Sequence, residues 1–227
     1  MENGSGYSFP IFISSTDYNL KDLRAELARF LHELGYKPIL SSAEGFPDGS
    51  PKLQPWESCL PVLENCFIVL LIIDGRYGIP LEWLNFKSCF DGRKVSPTHG
   101  EYLYSRHVKK RMLIFVRREI TLHYQSYRTV LDNFKGNKDE AKKNLEKSLP
   151  EYVSFESLDF LHEVKTTGPI PWIKEFDDVT NIKAEIQTKM LNELAELFLI
   201  KNKHLEMVTE SFNKCLDSLT LEEQKKY

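Results

Sequence analysis

The sequence predicts an α/β fold, a flavodoxin-like, doubly wound parallel sheet of strand order 2-1-3-4-5 with a C-terminal helical extension. Three observations predict it. Short apolar runs of strand length recur at residues 11–15 (IFISS), 67–73 (FIVLLII) and 112–116 (MLIFV), and their scarcity of polar residues suits burial on both faces of a parallel sheet. Amphipathic stretches at helical spacing lie between them, and strand–helix alternation imposes right-handed crossovers. In such a sheet ligands settle outside the carboxyl ends of the strands where the winding reverses, here between strands one and three.

The elements follow in order. After strand one, Leu20, Leu23, Leu27, Phe30, Leu31 and Leu34 recur at three and four, with Lys21, Asp22, Glu26, Arg29 and Glu33 opposite them. Gly35 ends that helix as a C-terminal cap. Residues 37–42 (KPILSS) give strand two, and residues 43–55 (AEGFPDGSPKLQP) carry too much Gly, Pro and Asp to be anything but loop. Leu60, Val62, Leu63 and Phe67 lead through a helix into the central strand, a helix over residues 98–110 leads into strand four, and residues 171–176 (PWIKEF) form the fifth. Residues 121–149, rich in charge (KGNKDEAKKNLEK), read as a solvated helical excursion. From Asp178 onward, Ile182, Ile186, Met190, Leu194, Leu197, Leu205, Val208 and Phe212 trace a helical stripe. Its first half is expected to cover the sheet and the remainder to self-associate or link domains, which divides the chain into an α/β domain (residues 1–177) and C-terminal helices (residues 178–227).

Composition narrows the function classes. With 227 residues, 41% of them apolar, the chain can bury one sizeable core and an appendage. A net charge of −3 supplies no basic field for nucleic acid or an anionic membrane. The N-terminus lacks a basic leader, and the run at residues 67–73 is too short to span a bilayer, so a soluble cytoplasmic protein is expected. Cys59, Cys66, Cys89 and Cys215 form no CxxC pair, and buried free thiols are the expectation for Cys59 and Cys66. Neither a GxGxxG nor a GxxxxGK[ST] loop occurs, and the histidines show no metal-ligand spacing.

Candidate site residues gather at the predicted crevice. Ser14, Ser15, Thr16 and Asp17 end strand one and open its helix, where free backbone amides attract anions or serve only as caps. Asp74, Arg76 and Tyr77 lie in DGRYG after the central strand: Arg76 suits a phosphate or carboxylate, Tyr77 a stacked base, and Gly75 and Gly78 a tight turn with close backbone approach. An ordinary βα turn is the alternative. Glu101 is the sharpest candidate, because a carboxylate at a nucleotide crevice can hold ribose hydroxyls or stabilise an oxocarbenium-like centre. Thr98-His99-Gly100-Glu101 equally reads as a capping box, with Thr98 as cap and Glu101 bonding back to its amide. His99 is either a ligand contact or an exposed first-turn residue.

Residues 11–24 (IFISSTDYNLKDLR), 59–78 (CLPVLENCFIVLLIIDGRYG) and 96–116 (SPTHGEYLYSRHVKKRMLIFV), in this order, resemble the family catalogued as domain of unknown function 4062, a TIR-like group related in fold to nucleoside 2-deoxyribosyltransferases. The resemblance implies that the loop at residues 43–55 gates the site and that Glu101 is catalytic. TIR-like enzymes cleave NAD at the nicotinamide glycosidic bond, often as bacterial antiviral effectors, whereas the transferases use their glutamate as a nucleophile on a nucleoside. The expectation is thus a homo-oligomeric NAD-consuming enzyme that needs no cofactor, with NAD as substrate, Ser14 and Ser15 near its phosphates, and Asp74, Arg76, Tyr77 and His99 around the pocket. A non-catalytic interaction domain, a nucleotide sensor and a nucleoside deoxyribosyltransferase-like activity are the alternatives. Residues 79–95 (IPLEWLNFKSCFDGRKV) depart from the shorter family pattern as an insert that could form a lid or displace the helix bearing Glu101.

Overall fold

Buried apolar segments must pair their backbone N–H and C=O groups, and these strand-length runs do so side by side in a ladder. The computed structural model describes residues 8–16, 20–41 and 52–217. Among them five strands form one parallel sheet in the order β2-β1-β3-β4-β5. These are β1 (Pro10–Ser14), β2 (Lys37–Ile39), β3 (Ile68–Ile73), β4 (Met112–Arg117) and β5 (Trp172–Phe176). Every residue of β3 is buried, as a central strand requires. Ile13 pairs with Leu70, and Leu71 with Ile114, so the three inner strands run in step. The edge strand β2 is only three residues long, shorter than the six expected; Pro38, which has no N–H to donate, sits at this edge where the loss is tolerated.

The helices are α1 (Lys21–Glu33), α2 (Cys59–Glu64), α3 (Lys87–Phe90), α4 (Pro97–His107), α5 (Arg118–Asn133), α6 (Lys138–Leu145), α7 (Phe155–Thr166) and α8 (Val179–Asp217). Contacts cluster into two units, Met1–Asn181 and Ile182–Tyr227. Along α8, Leu191, Leu197, Phe198, Leu199, Ile200, Leu205 and Phe212 are exposed. No helix among the described residues is long and apolar enough to cross a membrane. Cys59 and Cys66 are buried free thiols, as expected.

Residues 121–149 are helical but not a solvated excursion. Helix α5 buries Ile120, Tyr124, Tyr127 and Leu131, and α6 buries Ala141 and Leu145. Two of those inward positions are tyrosines, whose hydroxyls disguise an apolar stripe: Tyr127 keeps its ring inside while its hydroxyl donates to Asp159 Oδ1 at 2.7 Å. Helix α7, which the reading did not anticipate, follows behind Ser154, whose side chain accepts from the Ser157 amide as an N-cap.

The insert at residues 79–95 packs as a plug. Leu81 and Val95 pair as an antiparallel bridge, and Trp83, buried, packs tilted against Phe90 with ring centroids 4.9 Å apart while its indole N–H donates to Val95 O at 3.2 Å. Trp83 lies so close to α4 that a Cβ on Gly100 would sit 2.2 Å from its ring, so only glycine fits there. The insert therefore braces α4 instead of displacing it.

Candidate functional site

A cleft of about 990 Å³ opens at the carboxyl ends of β1 and β3, where the winding of the sheet reverses. That volume is at the upper end of the range typical for small-molecule sites, about 300–1,000 Å³. Among the described residues, Ser15 and Thr16 line it after β1, Arg24 from α1, Arg76, Tyr77 and Gly78 after β3, and Pro97, Thr98 and Glu101 from α4. The opposite wall comes from Glu151, Tyr152 and Ser154, in the segment between α6 and α7. Gly75 lets that segment cross: the Ser154 amide and hydroxyl both donate to Gly75 O, at 2.8 and 3.1 Å, and a Cβ on Gly75 would meet Tyr152 O at 2.1 Å. The close approach anticipated at this glycine is therefore to the chain itself.

The first turn of α4 decides the role of Glu101. Ser96 is the N-cap, its hydroxyl accepting from the His99 amide at 3.4 Å, and Pro97 occupies the first helical position, where its missing N–H costs nothing. Thr98 is therefore inside the helix and Glu101 stands two residues beyond the capping-box position, which His99 occupies. The capping-box reading fails for this reason. Glu101 is instead 3% exposed, and the Ser14 hydroxyl donates to its Oε2. Burial pushes its pKa up to about 7, against the opposing pull of the Ser14 hydrogen bond, the Arg24 charge and a hydrogen bond from Cys59. A carboxylate held this way titrates near neutrality on the surface of a cleft, a combination common at functional sites.

A family model described as Domain of unknown function (DUF4062) matches residues 10–191, well over half of the chain. The chain belongs to this family. No curated protein matches it. The DUF4062 span contains every described residue that lines the cleft.

Within that DUF4062 span, the anticipated residues separate into three groups. Ser15, Arg76, Tyr77 and Glu101 line the cleft, with Arg76 exposed at its mouth. Ser14 lies beneath, spent on Glu101. Asp74 and His99 do not line it. Asp74 is turned to its own loop and to β4, accepting from the Gly75 amide at 2.7 Å and from Arg117 Nε at 3.0 Å. His99, 5% exposed, is not an exposed first-turn residue and lies behind the cleft wall: its ring stacks on Phe160 at 4.2 Å. Asp17 and residues 43–51 of the loop expected to gate the site (residues 43–55) lie outside the described residues. Just after that loop, Glu57 is fully buried and holds the Gln54 amide at 3.0 Å and the Asn85 amide at 2.9 Å, tying the end of the loop to the insert.

Sequence reasoning missed Arg24 and Glu163. Arg24 is buried and donates to Ser15 O at 2.8 Å and Ser15 Oγ at 3.1 Å, fixing the end of β1 beside Glu101. Its signal was present: Leu20, Arg24, Leu27 and Leu31 recur at four, three and four, which places a cation on the buried stripe of α1. Glu163 belongs to α7 and left no local signal.

Proposed function

We propose that this protein is a TIR-like NAD-consuming enzyme whose cleft cleaves the nicotinamide N-glycosidic bond. The observation that carries the reading is Glu101, a buried carboxylate on the cleft wall that is hydrogen-bonded to Ser14 and titrates near neutrality. The chemistry asks for little else. As the bond from ribose C1′ to the pyridinium nitrogen breaks, both electrons leave with nicotinamide, which departs neutral, and positive charge develops on the ribose. Ionised Glu101 stabilises that charge in a cleft where water screens it poorly. Water then adds at C1′ and loses a proton, giving ADP-ribose. NAD is the substrate and no cofactor enters this scheme.

Arg76 at the mouth suits a phosphate, and Tyr77 offers a ring to a base. The reading includes a cytoplasmic role as an effector in bacterial antiviral defence, with self-association through the exposed apolar residues of α8. Light scattering on the full chain and on a chain truncated at about Lys201 tests the association: a mass that falls on truncation supports it, and an unchanged mass removes it. For the reaction, purified protein is incubated with NAD and nicotinamide release is followed beside Glu101→Gln. Turnover by the wild type that the variant loses supports the proposal. Equal turnover by both, or none by the wild type at high protein concentration, overturns it.

A further inference from the structure

Behind the cleft wall runs a chain of polar contacts that the proposed chemistry does not use. The Tyr77 hydroxyl lies 2.6 Å from His99 Nδ1, His99 Nε2 lies 3.3 Å from Glu163 Oε2, and Arg93 grips both oxygens of Glu163 at 3.0 and 3.1 Å. Hydroxyl, imidazole and carboxylate in this order have the connectivity of a nucleophilic triad. Two features argue against that role. The Glu163 carboxylate 3.3 Å from Nε2 favours the proton on that nitrogen, which leaves Nδ1 bare for the tyrosine O–H, and the same oxygen accepts from the Ser96 amide at 3.5 Å. The hydroxyl is thus committed to the interior. Burial also pushes Tyr77 up to about 12, so its hydroxyl keeps its proton near neutrality, and it lowers His99, while His99 and Arg93 together hold Glu163 down to about 2 despite its burial.

What the chain of contacts does fix is the tyrosine ring. Phe160 stacks on His99 and meets the Tyr77 ring edge-on at 6.3 Å, so imidazole and phenol are both held from behind while Tyr77 lines the cleft. We propose that His99 and Glu163 are positioning residues that clamp Tyr77 as a rigid aromatic wall, on which the flat heteroaromatic ring of a nucleotide stacks. The inference rests on the reading of the cleft as a nucleotide site, but on binding and not on turnover. A ring fixed in advance loses no rotamer freedom when the ligand arrives, which is why the clamp converts into affinity. Arg93, which belongs to the insert, anchors the far end.

The test is calorimetric binding of NAD to full-length protein carrying Glu101→Gln, which prevents consumption of the ligand. Adding Tyr77→Ala should weaken binding by about tenfold or more, the scale of a lost base–aromatic stack. Tyr77→Phe and Glu163→Leu keep the ring but cut the clamp, and each should weaken binding by roughly three- to fivefold with a circular-dichroism spectrum like the parent's. Glu163→Gln should bind like the parent, because its amide keeps the shape of the side chain and an oxygen facing His99 Nε2. A merely structural role would lower thermal stability in these variants without this graded loss and its rescue by glutamine. Binding by Tyr77→Ala as tight as the parent's, Glu163→Leu indistinguishable from Glu163→Gln, or no NAD binding at all would each overturn the proposal. NAD binding with these effects but no turnover by the wild type would overturn the catalytic reading alone.

Discussion

Glu101 and Glu163 are two carboxylates placed around one helix, and their proton affinities move in opposite directions. Glu101 sits in the second turn of α4 and is raised to about 7; Glu163, on α7, faces His99 from the first turn of α4 and is lowered to about 2. Both feel desolvation. What separates them is partners: Glu163 is held by a guanidinium in two-point contact and has an imidazole nitrogen 3.3 Å away, whereas Glu101 accepts from a neutral hydroxyl and a neutral thiol and feels Arg24 as a charge nearby. A fully partnered carboxylate is structural cement, and an under-partnered one beside a cleft is available for chemistry. Pairs whose environments drive their pKa values apart are how one fold assigns such roles.

The largest expected effect breaks the comparison outright. Replacing Glu101 by Gln keeps the shape and the contact with Ser14 but removes the charge, and nicotinamide release should fall by about 10²–10³, the scale of losing one electrostatic stabiliser of a transition state. Glu163→Gln, measured alongside, should leave the release detectable.

The second effect is on stability against pH, and its sign differs at the two sites. The folded pKa of Glu101 lies above its unfolded value near 4.5, so the stability tied to its protonated form is complete below about 4.5 and is lost as pH rises through about 7. Above that, ionised Glu101 should cost roughly 3 kcal/mol relative to its protonated form, and Glu101→Gln should be more stable than the wild type at pH 8 by up to that amount. Glu163 behaves inversely: its contribution is present above about 4.5 and is lost as pH falls toward about 2. Urea denaturation of wild type, Glu101→Gln and Glu163→Gln between pH 2 and 8 reads both signs, Glu163 at the acid end and Glu101 between pH 4 and 8. A wild-type advantage over Glu101→Gln that grows with pH would refute the assignment.

A third experiment moves both sites together. Gly100 lies between His99 and Glu101 with the Trp83 ring against it, so Gly100→Ala must push α4 and the insert apart. Overpacking of this kind costs about 1–3 kcal/mol. The melting temperature should drop, and the acid limb of kcat/KM should shift as Glu101 moves against Ser14. An unaltered melting temperature would mean that the insert does not brace the helix.

How much of this was legible differs by element. The order of the sheet could be read because IFISS, FIVLLII and MLIFV are apolar enough to demand burial on two faces and are separated by stretches of helical spacing. The place of the cleft followed from that order. The role of Glu101 did not, because a Thr three residues before a Glu satisfies the capping-box pattern whether or not it caps; Ser96-Pro97 just upstream sets the true frame. His99 looked like a site residue for a similar reason, since only Phe160 and Glu163, distant in sequence, make it interior. The tyrosines of α5 hid a buried face behind hydroxyls, and the wall at Glu151, Tyr152 and Ser154 depends on a backbone crossing at Gly75 that no local pattern encodes.

The smallest expected effect is the most selective. Among the described residues, the Arg24 charge lowers the pKa of Glu101, and the Arg93 charge, with His99, lowers that of Glu163. If kcat/KM for nicotinamide release rises with pH as Glu101 ionises, with a midpoint near 7, then Arg24→Gln should move that midpoint upward. The glutamine amide can still donate to Ser15 O, so the end of β1 should be largely retained and the shift read as lost charge. Arg93→Gln should leave the midpoint where it is, because its partner is Glu163 and not Glu101. A midpoint that moves with Arg93 and not with Arg24 would mean that the titrating group belongs to the clamp behind Tyr77, and the division of labour between the two carboxylates would be reversed.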